Sequence, residues 1–207
     1  GCGAVTVCGG TRARLFRISF SGELAYEVAV PARYGNAMMG VLMDAGREFD
    51  AVPYGTEALG VMRIEKGHAA GNELNGQTTA HNLGMGRMVS QKKDCIGNVL
   101  SQRPELLRDD AVKLVGFRPV ERDTGLIAGS HFITCGDAAT MENDQGWMSS
   151  VAYSPSLGHS IGLGFLKRGD ARMGEILRAV SPVHGREMEV EVVSAHFIDP
   201  DGERLRG

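Results

Sequence analysis

The 207 residues are 43% hydrophobic and 23% charged, with a formal net charge of -3. That balance fits a globular chain with ample core for one large domain or two small ones. It excludes a broad electrostatic drive toward nucleic acid or an anionic membrane, and no apolar run approaches the ~20 residues that a bilayer span requires.

No secretory signal is visible. The four cysteines, at 2, 8, 95 and 135, show neither zinc-like pairing nor a dense disulfide pattern. Reduced thiols and a cytoplasmic location are therefore expected, with a Cys2–Cys8 bridge left open. The chain opens on Gly1-Cys2-Gly3 without an initiating Met and runs straight into the strand-like Ala4-Val5-Thr6-Val7. A segment of a longer polypeptide is the expectation.

The run from Arg17 to Glu27 reads as strand, tight turn, strand. Phe16, Ile18 and Phe20 alternate with Arg17 and Ser19, the two-residue period of a half-buried strand. Gly22 supplies the freedom a turn needs. Beyond it, Tyr26, Val28 and Val30 share one face and Glu27 shares the other with Ala29. A carboxylate beside Tyr26 on a strand of little other polarity needs a partner if buried. A protein cation, a backbone donor or a ligand would each serve.

Pro31 suits a first helical turn, and Tyr34, Ala37, Met38, Val41, Leu42 and Ala45 recur at helical spacing up to Gly46. Met38 and Met39 read as core filler and its edge. A second helix spans 56–66, with Thr56 as a possible cap and Gly67 as its stop. Apolar residues cover most of its circumference, which predicts burial. Arg63, between Met62 and Ile64, then needs a carboxylate. An internal ion pair, with Glu65 or another acid, and a ligand contact are both open. A short helix over 96–102 should stop at Pro104.

From about residue 109 the character changes. Stretches 112–117, 132–134, 148–153, 161–166 and 188–193 read as strands, and Glu187 to Val192 alternates strictly. Ser154-Pro155, Lys167-Arg168-Gly169-Asp170 and Asp199-Pro200-Asp201-Gly202 are turns. Short strands at this spacing predict a small antiparallel barrel over 109–207, after an α+β part over 1–108. The six histidines are scattered without metal-ligand spacing, so no metal site is assigned. Ser149-Ser150 lacks the context of a nucleophile elbow, and Cys95 reads as a buried small hydrophobe. No Gly-x-Gly-x-x-Gly fingerprint is present, so no dinucleotide is bound through that motif.

Phe20, Gly22-Glu23, Tyr26-Glu27 and Arg63-Ile64-Glu65-Lys66-Gly67 together resemble the aminomethyltransferase superfamily, which includes the glycine-cleavage T-protein and dimethylglycine oxidase. Leu83 to Met88, Lys92 to Gly97, Tyr153 to His159 and Asp199 to Leu205 are similar to the C-terminal region of the alpha subunits of heterotetrameric sarcosine oxidases. The resemblance implies an α+β folate-binding domain, present in part, followed by a C-terminal antiparallel β-barrel. It implies tetrahydrofolate binding and capture of a one-carbon unit from sarcosine demethylation as methylene-tetrahydrofolate. It also implies beta, gamma and delta partner subunits, with FAD, FMN and NAD held elsewhere in the complex.

Carried over residue by residue, Glu27 accepts the neighbouring N–H donors of the pterin edge, and Tyr26 offers a flat face. Arg63 receives the folate tail or organises Glu27. Phe20 stands where relatives carry a tyrosine, so it stacks without a hydrogen bond. The assisting aspartate of the relatives is expected upstream of Gly1, and no catalytic residue is assigned. Two further readings stay open: a subunit-interaction module whose folate pocket has decayed, and a free-standing aminomethyltransferase.

Overall fold

A computed structural model describes residues 1–90 and 92–207. In chain order its main elements are β1 (Cys2–Val7), β2 (Thr11–Phe16), β3 (Glu27–Ala29), α1 (Gly35–Gly46), α2 (Thr56–Lys66), α3 (Asn98–Ser101), β4 (Val112–Pro119), β5 (His131–Thr134), β6 (Gly146–Ser154), β7 (His159–Lys167), β8 (Ile176–Ser181), β9 (Arg186–Val193) and α4 (Glu203–Arg206). They form two compact units, Gly1–Met62 with Asp201–Gly207, and Arg63–Pro200. Each is described by itself.

In the first unit β1, β2 and β3 make an antiparallel sheet in that order. Its register is Ala4↔Arg14↔Ala29 and Cys2↔Phe16↔Glu27. Directly paired residues share a face, so Val5, Ala13, Leu15 and Val28 lie on one side. Ala13 is buried there, as is Met38 of α1, and Cys8 Sγ meets Met38 Sδ at 3.6 Å. The opposite side carries Ala4, Thr6, Arg12, Arg14, Phe16, Glu27 and Ala29, nearly all exposed.

The expected strand over 16–20 is corrected. The first strand of the hairpin is Thr11–Phe16, and the chain leaves the sheet after Phe16. Ile18 and Phe20 are both close to half exposed. Local turn chemistry overrides their alternation: Ser19 Oγ accepts the Gly22 amide at 3.0 Å, and Gly22 has φ +87°. The resulting loop is tied to the α4 segment. Arg17 Nη2 donates to the carbonyls of Leu205 and Arg206, and Arg204 pairs with Glu23 at 3.1 Å.

The second unit holds a closed six-stranded antiparallel barrel in the order β4-β7-β6-β5-β8-β9. Leu177, Ala179, Met188, Val190 and Val192 fill its interior with Phe117, Phe132, Met148 and Leu166. Phe117 and Phe132 stack with ring centroids 4.0 Å apart. Strand β8 was not foreseen from the sequence. Glu187 and Glu191 on the wet face of β9 pair with Arg178 and Arg118.

The end of α2 belongs to this unit, where Ile64, Glu65 and Lys66 are buried. The first turn of α2 is exposed, so the expected burial holds only for its last turn. Gly67, at φ +76°, terminates it, with the His68 amide donating back to Arg63 O at 2.8 Å. The amides of Phe197 and Ile198 donate to Glu65 O at 2.9 and 3.0 Å. Lys66 Nζ binds Asp199 Oδ2 at 2.7 Å and its carbonyl at 2.5 Å. Cys95 is exposed, correcting its reading as a buried hydrophobe. All four cysteines are free thiols.

Candidate functional site

Tyr26 and Glu27 stand where the chain re-enters the first unit's sheet. Glu27 opens β3 opposite Phe16. Its side chain is exposed, and among the described residues it makes no hydrogen bond or ion pair. Tyr26 is 55% exposed and Phe20, in the preceding loop, 41%. Glu27 thus presents an unspent carboxylate, and Tyr26 and Phe20 two exposed rings. The two oxygens of such a carboxylate can accept two parallel hydrogen bonds from adjacent N–H groups.

The same face of the sheet offers cations. Arg12 and Arg14 sit two residues apart on β2, and neither has a hydrogen-bond or ion-pair partner among the described residues. With Ala4, Ala29, Val30 and Pro31 they line a hollow of about 540 Å³ at this sheet, to which Val5 and Ala13 also contribute.

Arg63 falls in the second unit and is engaged there. Its Nη1 donates to Glu73 Oε2 at 2.9 Å and to His68 O at 3.4 Å, and Nη2 donates to Ser150 Oγ at 2.8 Å. Glu73, fully buried, also accepts from the Ala70 amide at 3.0 Å, from Ser150 Oγ at 2.7 Å and from Ser149 Oγ. All four acceptor positions of the carboxylate are thus filled. Burial pushes the Glu73 carboxyl up, but the two serine hydroxyls, the Ala70 amide and the Arg63 charge outweigh it and hold the group below its ordinary value.

A bulge makes this possible. Consecutive strand residues face opposite sides, yet the β6–β7 register slips between Met148 and Ser150, leaving Ser149 as the extra residue. Both hydroxyls then reach one acid. Of the two outcomes open for Arg63, the internal ion pair is present, but its acid is Glu73 rather than Glu65. Glu65 Oε1 instead accepts from Ser154 Oγ at 2.5 Å. Nothing in the spacing of Glu73, Ser149 and Ser150 announced the cluster, because it depends on the bulge.

Two family models match in tandem: the GCVT N-terminal domain over residues 2–93 and the glycine cleavage T-protein C-terminal barrel domain over 113–199. The chain belongs to the glycine cleavage T-protein (aminomethyltransferase) family. Among its relatives, the sarcosine oxidase alpha subunit of Rhizobium meliloti (strain 1021) is 45% identical over 192 residues, 92% of this chain and 20% of that subunit. The corresponding subunit of Corynebacterium sp. (strain P-1) is 39% identical over 206 residues, 98% of this chain and 21% of its own length. An aminomethyltransferase of Saccharopolyspora erythraea is 31% identical, over 91% of this chain and 50% of that protein. The chain thus spans about a fifth of the first relatives and half of the last. The crystal structure of glycine cleavage system aminomethyltransferase T from Bartonella henselae shares the fold, with a TM-score of 0.69 at 20% identity over 91% of this chain and 50% of that one. The expected architecture, an aminomethyltransferase-like α+β part followed by an antiparallel barrel, is borne out.

Proposed function

We propose that this chain is the tetrahydrofolate-binding portion of a sarcosine oxidase alpha subunit. The observation that carries the reading is Glu27, an unpartnered carboxylate on an open sheet face beside Tyr26. Glu27 accepts the donor edge of the pterin, while Tyr26 and Phe20 pack its faces. When bound, tetrahydrofolate supplies the nitrogen that takes up the one-carbon unit released from sarcosine, giving methylene-tetrahydrofolate. The identity to sarcosine oxidase alpha subunits supports this oxidase context over that of a free-standing transferase. Beta, gamma and delta subunits complete the enzyme in this reading, with FAD, FMN and NAD bound outside the present chain and the cytoplasm as its location.

Arg63 was the expected recipient of the folate tail. Three of the five guanidinium N–H groups are spent on Glu73, His68 and Ser150, leaving two for any ligand. The ion pair favours a second reading for this residue, as an internal anchor for the end of α2.

Calorimetry of the complete assembled protein with tetrahydrofolate tests the reading. Charge-assisted hydrogen bonds contribute roughly 1.5–3 kcal/mol, so Glu27→Gln should weaken binding about ten- to a hundredfold. Equal affinity in both proteins removes Glu27 from the site. Capture of partner subunits with no folate binding by the native complex would favour an interaction module instead.

A further inference from the structure

The register of the first sheet gives Glu27 neighbours that no motif singled out. Arg14 lies opposite Ala29 on one side and Ala4 on the other, and Glu27 lies opposite Phe16. Arg12, Arg14, Phe16, Glu27 and Ala29 therefore share one face. Along β2, Arg14 is about 7 Å and Arg12 about 13 Å from the Glu27 level, at 3.3 Å per residue. Arg14 and Glu27 are diagonal neighbours across an antiparallel pair, a placement at which long side chains can meet. Even so, no ion pair joins them, and Arg12 is equally unpartnered among the described residues.

The small residues matter as much as the cations. Ala4 and Ala29 flank Arg14 directly, so the sheet carries a trough at that point. The hollow of about 540 Å³ lies here, lined by both arginines and both alanines with Val30 and Pro31, and Glu27 stands outside its lining, further along the same face. An elongated ligand laid along this trough meets an acceptor at the Glu27 end and two guanidinium donors at the other. That polarity matches a molecule with an N–H-rich heterocycle, an uncharged linker and carboxylates at its far end. A guanidinium binds a carboxylate through two parallel hydrogen bonds, and two guanidiniums in sequence suit more than one carboxylate.

We propose that Arg14 and Arg12 form the subsite for the glutamate tail of the folate, with Arg14 taking the first glutamate and Arg12 extending the site toward further γ-linked glutamates. This rests on the reading of Glu27 as the pterin acceptor and deepens it. It moves the tail from Arg63, whose donors are largely consumed, to two residues whose donors are not.

The experiment is calorimetric titration of the complete protein with three probes: a tail-less tetrahydropterin, tetrahydrofolate with one glutamate, and tetrahydrofolate with three. The proteins are native, Arg14→Gln, Arg12→Gln/Arg14→Gln and Glu27→Gln. The double arginine variant should bind both tailed folates about ten- to a hundredfold more weakly and the tail-less pterin as the native protein does. Arg14→Gln alone should keep part of the preference for three glutamates over one. Glu27→Gln should weaken all three probes. Native affinity of the double variant for the tailed folates overturns the subsite, and so does an equal loss for tailed and tail-less probes. If Glu27→Gln leaves all three affinities unchanged, the pterin reading fails as well. If it weakens all three while the arginine variants bind normally, only the tail assignment fails.

Discussion

Arg63 Nη1 and Glu73 Oε2 lie 2.9 Å apart, ten residues apart in sequence, at the point where α2 ends against the bulged strand β6. The Arg63 side chain is 13% exposed and that of Glu73 is inaccessible. Removing one member of such a pair leaves the other charge buried, at a cost of about 3–5 kcal/mol. Glu73→Leu should lower the denaturant midpoint of the second unit accordingly. Pairing it with Arg63→Met should recover much of the loss, which a double-mutant cycle measures directly.

The acid limb of stability follows from the same carboxyl. Its value in the folded protein lies below the ordinary 4.5. The stabilisation is therefore complete above about 4.5 and fades as pH falls through the lower folded value. Unfolding of the native protein should steepen below that pH, and Glu73→Gln should flatten this limb, the variant lying below the native protein at neutral pH and converging with it in acid. Stability profiles between pH 3 and 8 check it.

The bulge at Ser149 has its own signature. Ser150→Ala removes a buried donor to Glu73 and a part-buried acceptor for Arg63. The loss should be about 1–3 kcal/mol. Ser149→Ala removes one donor to the same acid and should also raise the pH at which the acid transition begins.

Gly67 is sensitive for two independent reasons. Its φ of +76° disfavours a side chain, and a Cβ there would lie 2.4 Å from Ala195 O. Gly67→Ala should destabilise by more than about 1 kcal/mol, read as a shift in thermal midpoint. Gly60→Ala, in the same helix with open space around it, should be stabilising or neutral.

Inside the barrel, Phe117 and Phe132 are fully buried and stacked. Phe117→Ala should cost about 3–5 kcal/mol. Phe117→Leu should cost markedly less, because it keeps most of the volume. Both are measurable by chemical denaturation.

Periodicity made most of the fold legible. Alternation gave β4, β6, β7 and β9, helical spacing gave α1 and α2, and Pro104 follows closely on α3 as expected. The face shared by Glu27 and Ala29 was readable from the two-residue period alone. Strand β8 was missed because its inward positions, Leu177, Ala179 and Ser181, are small or polar after the first. Phe16, Ile18 and Phe20 gave a strand signal that the Ser19 to Gly22 turn cancels. Arg12 and Arg14 drew no notice, since only strand register places them beside Glu27. Glu73 was invisible for the same kind of reason: its partners come from a strand irregularity some 75 residues downstream, at Ser149 and Ser150.

The grip of Lys66 on Asp199 spans 133 positions, and Glu65 O receives the amides of Phe197 and Ile198 beside it. The closing stretch of the barrel unit is thus the finishing piece of a helix laid down far earlier in synthesis. Until residue 199 has emerged, α2 ends on a bare carbonyl and a buried ammonium without its counter-charge, so maturation of this unit waits for a segment made 133 positions later.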